Sequence, residues 1–264
     1  MKAISIKEIQ KINYEIIKYV DCICKKEGID YFLAYGSLLG AIREAGFISW
    51  DDDMDIWMKR EDYEKFADVI HKYPDERFFF QNNITDPLFP VPELARVCVN
   101  GTLDWDRTRS NLTFHKGIYF DIFPLDFSSE KPNYVTRKMK KLRMLHMLAY
   151  AYATDYQASK TLKGFAYRLL LNILPYETIL NLINRIIHEN RNEDRSELVS
   201  FACQYPLEKG VFESKWFDDV IYKKFEDLYL PCPSNYDLVL KTIYGDNYMT
   251  PIKTKSSEKH AYSL

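Results

Sequence analysis

No stretch of 18 uncharged apolar residues occurs in this 264-residue chain. The uncharged run Met144–Thr154 stops at 11 residues, whereas a helix crossing a bilayer needs about 20. No membrane span is expected. A secretion signal is lacking too, because Met1 to Gln10 interleaves charged and apolar residues, and the mature protein is expected to begin near Met1. Five cysteines (Cys22, Cys24, Cys98, Cys203, Cys232) are scattered without the paired spacing of a zinc site or a disulfide framework. They read as reduced thiols of a cytoplasmic protein, with Cys22, Cys24 and Cys203 in apolar surroundings that suit core packing. Charge of one sign is missing as well: 36 basic residues against 38 acidic leave a net charge of -2, so nothing marks nucleic acid as a partner. No internal repeat, low-complexity tract or Gly/Ser linker divides the chain.

What is present builds a fold. Hydrophobic residues make up 47% and aromatic ones 15%, which supports a sizeable core and excludes a disordered chain. Residues 4–27 repeat Ile9, Ile12, Ile16, Val20 and Ile23 at helical spacing and stop at Gly28, so an amphipathic helix is predicted. Tyr31 to Tyr35 reads as a short buried strand that feeds a Gly36-Ser37 turn, followed by a short helix from Leu38 to Ala45. From Asp53 the alternation Asp-Met-Asp-Ile-Trp-Met predicts a strand with Asp53, Asp55 and Trp57 on one face. Arg60 to Lys72 carries Tyr63, Phe66, Ala67 and Ile70 at helical intervals and should pack behind the sheet. Another strand is predicted over Gly117–Phe123, with Tyr119, Asp121 and Phe123 on one face and Pro124 ending it. Residues 73–116 lack periodicity and suggest loops and short strands. From about Asn133 helical patterns take over (Met139 to Ala153, Phe165 to Leu174, Ile179 to Ile187), with Pro175 as a break. A soft boundary therefore separates a core over 1–130 from a largely helical region over 131–264.

Fifteen residues lie between Gly36-Ser37 and Asp53, enough for one short helix and a return into an adjacent strand, so both ends can face one cleft. Glycine lets a backbone approach phosphate closely, the N–H groups of the following helix favour an anion, and Ser37 adds a hydroxyl. Asp53 and Asp55 on one face repel each other unless a divalent cation lies between them, with Mg²⁺ (or Mn²⁺) the natural choice. Asp121, on a neighbouring strand, is the candidate third carboxylate, as ligand or general base. Asp51 and Asp52 read as lip residues. Alone, a Gly-Ser pair is commonly just a turn and an aspartate run a solvated loop. Their combination at this spacing favours a metal-dependent phosphotransferase. Calcium binding is the rival, since Asp51, Asp53, Asp55 and Asp62 stand at positions 1, 3, 5 and 12 of a loop of EF-hand length. Ile56 argues against it, because that sixth position requires glycine.

Three segments then resemble the LicD family: Tyr35-Gly36-Ser37-Leu38-Leu39-Gly40-Ala41-Ile42-Arg43 with Gly46-Phe47-Ile48-Ser49-Trp50-Asp51-Asp52-Asp53-Met54-Asp55, then His115-Lys116-Gly117-Ile118-Tyr119-Phe120-Asp121-Ile122-Phe123-Pro124-Leu125-Asp126, and finally Tyr244-Gly245-Asp246-Asn247-Tyr248-Met249-Thr250-Pro251 followed by His260. The resemblance spans almost the whole chain. It implies an α+β, nucleotidyltransferase-like core with a small mixed β-sheet, the helical half completing the acceptor side. It also implies transfer of a phospho-alcohol, typically phosphocholine, from a CDP-activated donor to a sugar hydroxyl of a surface glycan such as lipopolysaccharide, teichoic acid or capsule. Related fukutin-type enzymes transfer ribitol phosphate. Carried over, Asp53, Asp55 and Asp121 become catalytic metal ligands and Gly36 and Ser37 the phosphate site, with Asp52, Arg96, His115 and His260 on the substrate side. Ser49 departs from the family's usual proline, and Pro251-Ile252 from its double proline.

Four further readings stay open. Arg43 suits a bidentate phosphate contact or a surface ion pair. His115 and His260 suit substrate contact or structural hydrogen bonding. Trp50 and Trp57 suit core packing or stacking on a base or quaternary ammonium. The segment 131–154 holds six basic residues (Lys131, Arg137, Lys138, Lys140, Lys141, Arg143) and no acidic one. It reads as a solvated helix face, or as a peripheral contact with an anionic inner membrane face carrying a lipid-linked glycan.

Overall fold

The computed structural model describes residues 2–104, 112–128, 132–153, 173–189, 195–203, 205–251 and 261–263. Their strands are β1 (Lys2–Ile4), β2 (Phe32–Leu33), β3 (Asp55–Lys59), β4 (Phe78–Gln81), β5 (Ala95–Val99), β6 (Thr102–Asp104), β7 (Tyr119–Ser128), β8 (Glu197–Val199), β9 (Val211–Glu213), β10 (Val220–Phe225), β11 (Leu228–Pro233) and β12 (Ala261–Ser263). The helices are α1 (Ile6–Glu27), α2 (Tyr35–Arg43), α3 (Arg60–Val69), α4 (Pro132–Ala153), α5 (Tyr176–His188) and α6 (Tyr236–Tyr244). The fold is α+β, as expected.

Local chemistry explains α1. The Ser5 hydroxyl accepts the Glu8 N–H while the Glu8 carboxylate accepts the Ser5 N–H at 2.8 Å, a reciprocal cap, and Gly28 closes the helix at φ 60°. Its buried face includes Ile9, Ile16, Val20 and Ile23. Cys22 lies on the opposite side and is exposed, contrary to the core position expected for it, because two residues along a helix turn a side chain through more than half a revolution. Cys24 and Cys203 are buried as expected.

The central sheet runs β2-β3-β7-β5-β4, with β3 and β7 parallel and the other neighbours antiparallel, and with β8 and β9 continuing from the far end of β7. Three expectations need correction here. The strand before the Gly-Ser pair is only two residues long, and Gly36-Ser37 lies inside the first turn of α2. Strand β3 begins at Asp55 rather than Asp53, and Ile56, Trp57 and Met58 are all buried because both faces of the sheet are covered, so alternation loses its meaning there. Strand β7 also continues through Pro124. Its ladder to β5 ends at Ile122 and that to β8 starts at Asp126, so the proline falls in a gap where that flank has no partner strand.

One core cluster gathers residues from Ile16 to Tyr248 around Phe32, Trp57 and Phe120, and a second joins α4 to α5. The region 131–264 carries three of the helices and also β8 to β12, which periodicity did not single out. Pro175 stands at the N-cap of α5, and residues 165–172 of the expected middle helix lie outside the described residues. No helix among the described residues is long and apolar enough to cross a membrane.

Candidate active site

The site begins with an unusual helix start. Tyr35 opens α2 with φ 41°, a left-handed conformation that costs a bulky residue on the order of 1–3 kcal/mol. Its ring is fixed by Trp57 at 4.8 Å, Phe123 at 5.1 Å and Tyr205 at 5.7 Å between centroids, and its hydroxyl meets Ser200 Oγ at 3.1 Å. The next residue must be small. A Cβ on Gly36 would lie 2.4 Å from Asp51 Oδ2, so the glycine admits a carboxylate against the first helical turn, where the helix dipole favours negative charge.

Helix α1 holds the aspartate loop in place. Gln10 Nε2 donates to the carbonyls of Ile48 (3.0 Å) and Asp51 (2.8 Å), and the buried Asn13 Nδ2 donates to the Asp52 carbonyl at 3.2 Å. So tethered, the carboxylates of Asp51, Asp52 and Asp53 bring one oxygen each to within 4.8 Å of one another, all half-buried. Asp51 and Asp52, expected at the lip, thus stand with Asp53. Asp55 follows at the start of β3, its N–H donating to Ser37 Oγ at 2.9 Å, which links the helix start to the strand start. Residues 51–62 run on into β3 and α3, so they do not form an EF-hand loop.

Asp121 faces Asp55 as its register partner across β3 and β7, and Arg96 is the partner of Asp121 on β5. Asp55, Asp121 and Arg96 therefore form one row across three strands. Arg96 Nε donates to Asp121 Oδ1 at 2.5 Å and its guanidinium sits 3.8 Å from the Tyr119 ring centroid. Burial works against the arginine's charge, but Asp121 outweighs it and the guanidinium pKa is raised. On the other side the Tyr205 and Tyr244 rings meet edge to face, 6.1 Å between centroids; burial raises both phenol pKa values, and the charges of Asp55 and Asp51 raise them further. These tyrosines, with Gln10 and Asn13, are site residues that sequence reasoning missed.

Other expected residues lie apart or are otherwise engaged. Arg43 pairs with Glu44 at 2.8 Å and reaches the Tyr248 carbonyl at 3.4 Å, the ion-pair alternative, and the Trp50 ring is 6.0 Å away. His115 stacks on Phe79, its Nδ1 accepts the Gly117 N–H and its Nε2 meets Asn100 Oδ1 at 2.9 Å, the structural alternative. Trp57 is fully buried, which is the core-packing alternative. His260 lies outside the described residues.

The family model described as "LicD/FKTN/FKRP, nucleotidyltransferase domain" matches residues 28–157, a span that contains α2, the aspartate loop, Arg96 and Asp121. Residues 28–157 belong to the LicD family. Beyond this LicD domain, the chain is 25% identical over 98% of its length to the lipopolysaccharide cholinephosphotransferase LicD of Haemophilus influenzae, covering 97% of that protein. It is also 28% identical to an uncharacterized protein of Rickettsia typhi, over 53% of this chain and 40% of that one. Tyr205, Tyr244, Gln10 and Asn13 fall outside the LicD match, yet they wall and tether the cluster inside it.

Proposed function

We propose that this chain transfers a phospho-alcohol, phosphocholine or a phospho-alditol, from a CDP-activated donor to a sugar hydroxyl of a cell-surface glycan, releasing CMP. The observation that carries this reading is the convergence of Asp51, Asp52 and Asp53, oxygens within 4.8 Å of one another, with Asp51 set against the first turn of α2. Full-length similarity to a lipopolysaccharide cholinephosphotransferase supports the choice of group transferred.

The all-oxygen, carboxylate-rich donor set fits a hard divalent cation, so Asp51, Asp52 and Asp53 would hold Mg²⁺ or Mn²⁺, with Asp55 and Asp121, register partners across β3 and β7, as further candidate ligands. Bound there, the cation supplies neutralisation of the donor diphosphate and alignment for in-line attack. The chain's own groups do the rest. N–H groups of the first turn of α2 draw phosphate oxygens. Ser37 fixes the backbone of Asp55, and Arg96 fixes the carboxylate of Asp121. The sugar oxygen bonds to the distal phosphorus, the bond from that phosphorus to the bridging oxygen breaks with its electron pair leaving on CMP, and the hydroxyl proton passes to a carboxylate of the cluster.

The description of the matched domain as a nucleotidyltransferase favours one rival, attack on the proximal phosphorus. Chromatography of reactions containing CDP-choline, Mg²⁺ and a glycan acceptor separates the two. CMP with a phosphocholine-bearing glycan is the expected result. A CMP-bearing glycan with free phosphocholine would replace the first reading by the second, and neither product from any CDP-alcohol would sink both.

A further inference from the structure

Helix α4 packs against α5 through Met139, Leu142, Leu145 and Leu148, which meet Ile179, Ile183 and Ile187. Its opposite side repeats Arg137, Lys140, Lys141, Met144 and Met147 at helical intervals, and all five are exposed. Met144 is 52% and Met147 57% exposed, far more than core methionines such as Met139 at 1%. Tyr152 belongs to the α5-facing side instead, stacked on Tyr176 at 5.0 Å between centroids.

The basic run of the sequence is sorted by this packing. Lys138 turns inward, its ammonium donating to the Ile187 and Glu189 carbonyls and so capping the C-terminus of α5. Arg143 donates to the Tyr205 carbonyl. Arg137, Lys140 and Lys141 point outward, on a helix without a single carboxylate.

We infer that this outer face of α4 docks on an anionic lipid surface, with the three cations at the phosphates and Met144 and Met147 in the interfacial layer. Charge complementarity selects that occupant. A second copy of this face would oppose cation to cation, whereas a lipid interface accepts basic and thioether side chains along one helix together. The inference stands apart from the transfer reaction, but the same helix reaches the aspartate site through Arg143 and Tyr205, so docking would present that site to a lipid-linked acceptor.

The test is sedimentation of the full chain with vesicles of phosphatidylcholine alone or mixed with phosphatidylglycerol, at low and raised salt. Binding to the mixed vesicles only, weakened by salt, is expected. Since each interfacial cation contributes about fivefold in partitioning, the triple variant Arg137→Gln, Lys140→Gln, Lys141→Gln should lose on the order of 100-fold. Met144→Ser with Met147→Ser should also weaken binding, with unchanged thermal melting for both variants. Equal binding to neutral vesicles, or no effect of the triple variant, would overturn the inference. So would a dimer in solution that Met144→Ser dissolves without any vesicle binding, or retention on duplex DNA in place of vesicles. CMP release from a soluble CDP-alcohol is read in parallel, so failure of docking and failure of the transfer reading remain distinguishable.

Discussion

Replacing Arg96 by leucine would leave Asp121 buried at 8% exposure without the guanidinium that now holds both of its oxygens. Breaking one partner out of a buried pair costs about 3–5 kcal/mol, because the surviving charge keeps its desolvation penalty and loses its compensation. At roughly 2–4 °C per kcal/mol for a chain of this size, the melting temperature should fall by about 6–20 °C. Asp121→Asn should cost less, since the arginine keeps its place 3.8 Å over Tyr119 and 5.1 Å from Phe89. Urea unfolding of both single variants and of the double variant measures the coupling between the two side chains, which should be on the order of 2 kcal/mol or more. Additive single effects, or a loss below about 1 kcal/mol for Arg96→Leu, would refute the assignment of Arg96 as the residue that fixes Asp121.

Further perturbations address the rest of the site and the core. Gly36→Ala puts a Cβ 2.4 Å from Asp51 Oδ2, and the displaced carboxylate should weaken Mn²⁺ binding about tenfold by calorimetry; unchanged affinity would remove Asp51 from the cluster's role. Removing the Ser37 hydroxyl with alanine orphans the Asp55 N–H and should cost about 1–3 kcal/mol in unfolding experiments, with CMP release falling as Asp55 shifts. Burial holds the Cys232 thiol up at about 12 against an ordinary 9.0, and raises Cys24 and Cys203 as well. A pKa raised by folding adds stability that is complete below the unfolded value, so the melting temperature should hold up to about pH 9 and decline as pH rises towards 12. In native protein a thiol reagent should label Cys22 quickly and the four buried cysteines only on unfolding; labelling of Cys24 at the rate of Cys22 would contradict the placement of α1.

Elements whose cause is local could be read from the chain. Ile9, Ile16, Val20, Ile23 and Gly28 announce α1 with both its buried face and its end. Tyr63 and Phe66 announce α3 in the same way. Errors came where distant contacts decide the backbone. Tyr35 enters a left-handed conformation because Trp57, Phe123 and Tyr205 grip its ring, and no neighbour in sequence hints at that. Gly36-Ser37 consequently became helix rather than turn. Asp51 joins Asp52 and Asp53 because Gln10 and Asn13, about 40 positions away, hold the loop's carbonyls. The row Asp55, Asp121, Arg96 was half legible: the acids showed themselves by type and spacing, whereas the register that sets the arginine opposite Asp121 depends on sheet pairing.

Metal-dependent release of CMP from a CDP-alcohol is the chemistry proposed for the aspartate cluster. Initial rates with CDP-choline and Mg²⁺, compared for the unaltered chain, Asp53→Asn and Asp55→Asn, test it most directly. CMP release should be abolished by a chelator and should fall to the uncatalysed background in both variants. A rate in either variant close to that of the unaltered chain would contradict it.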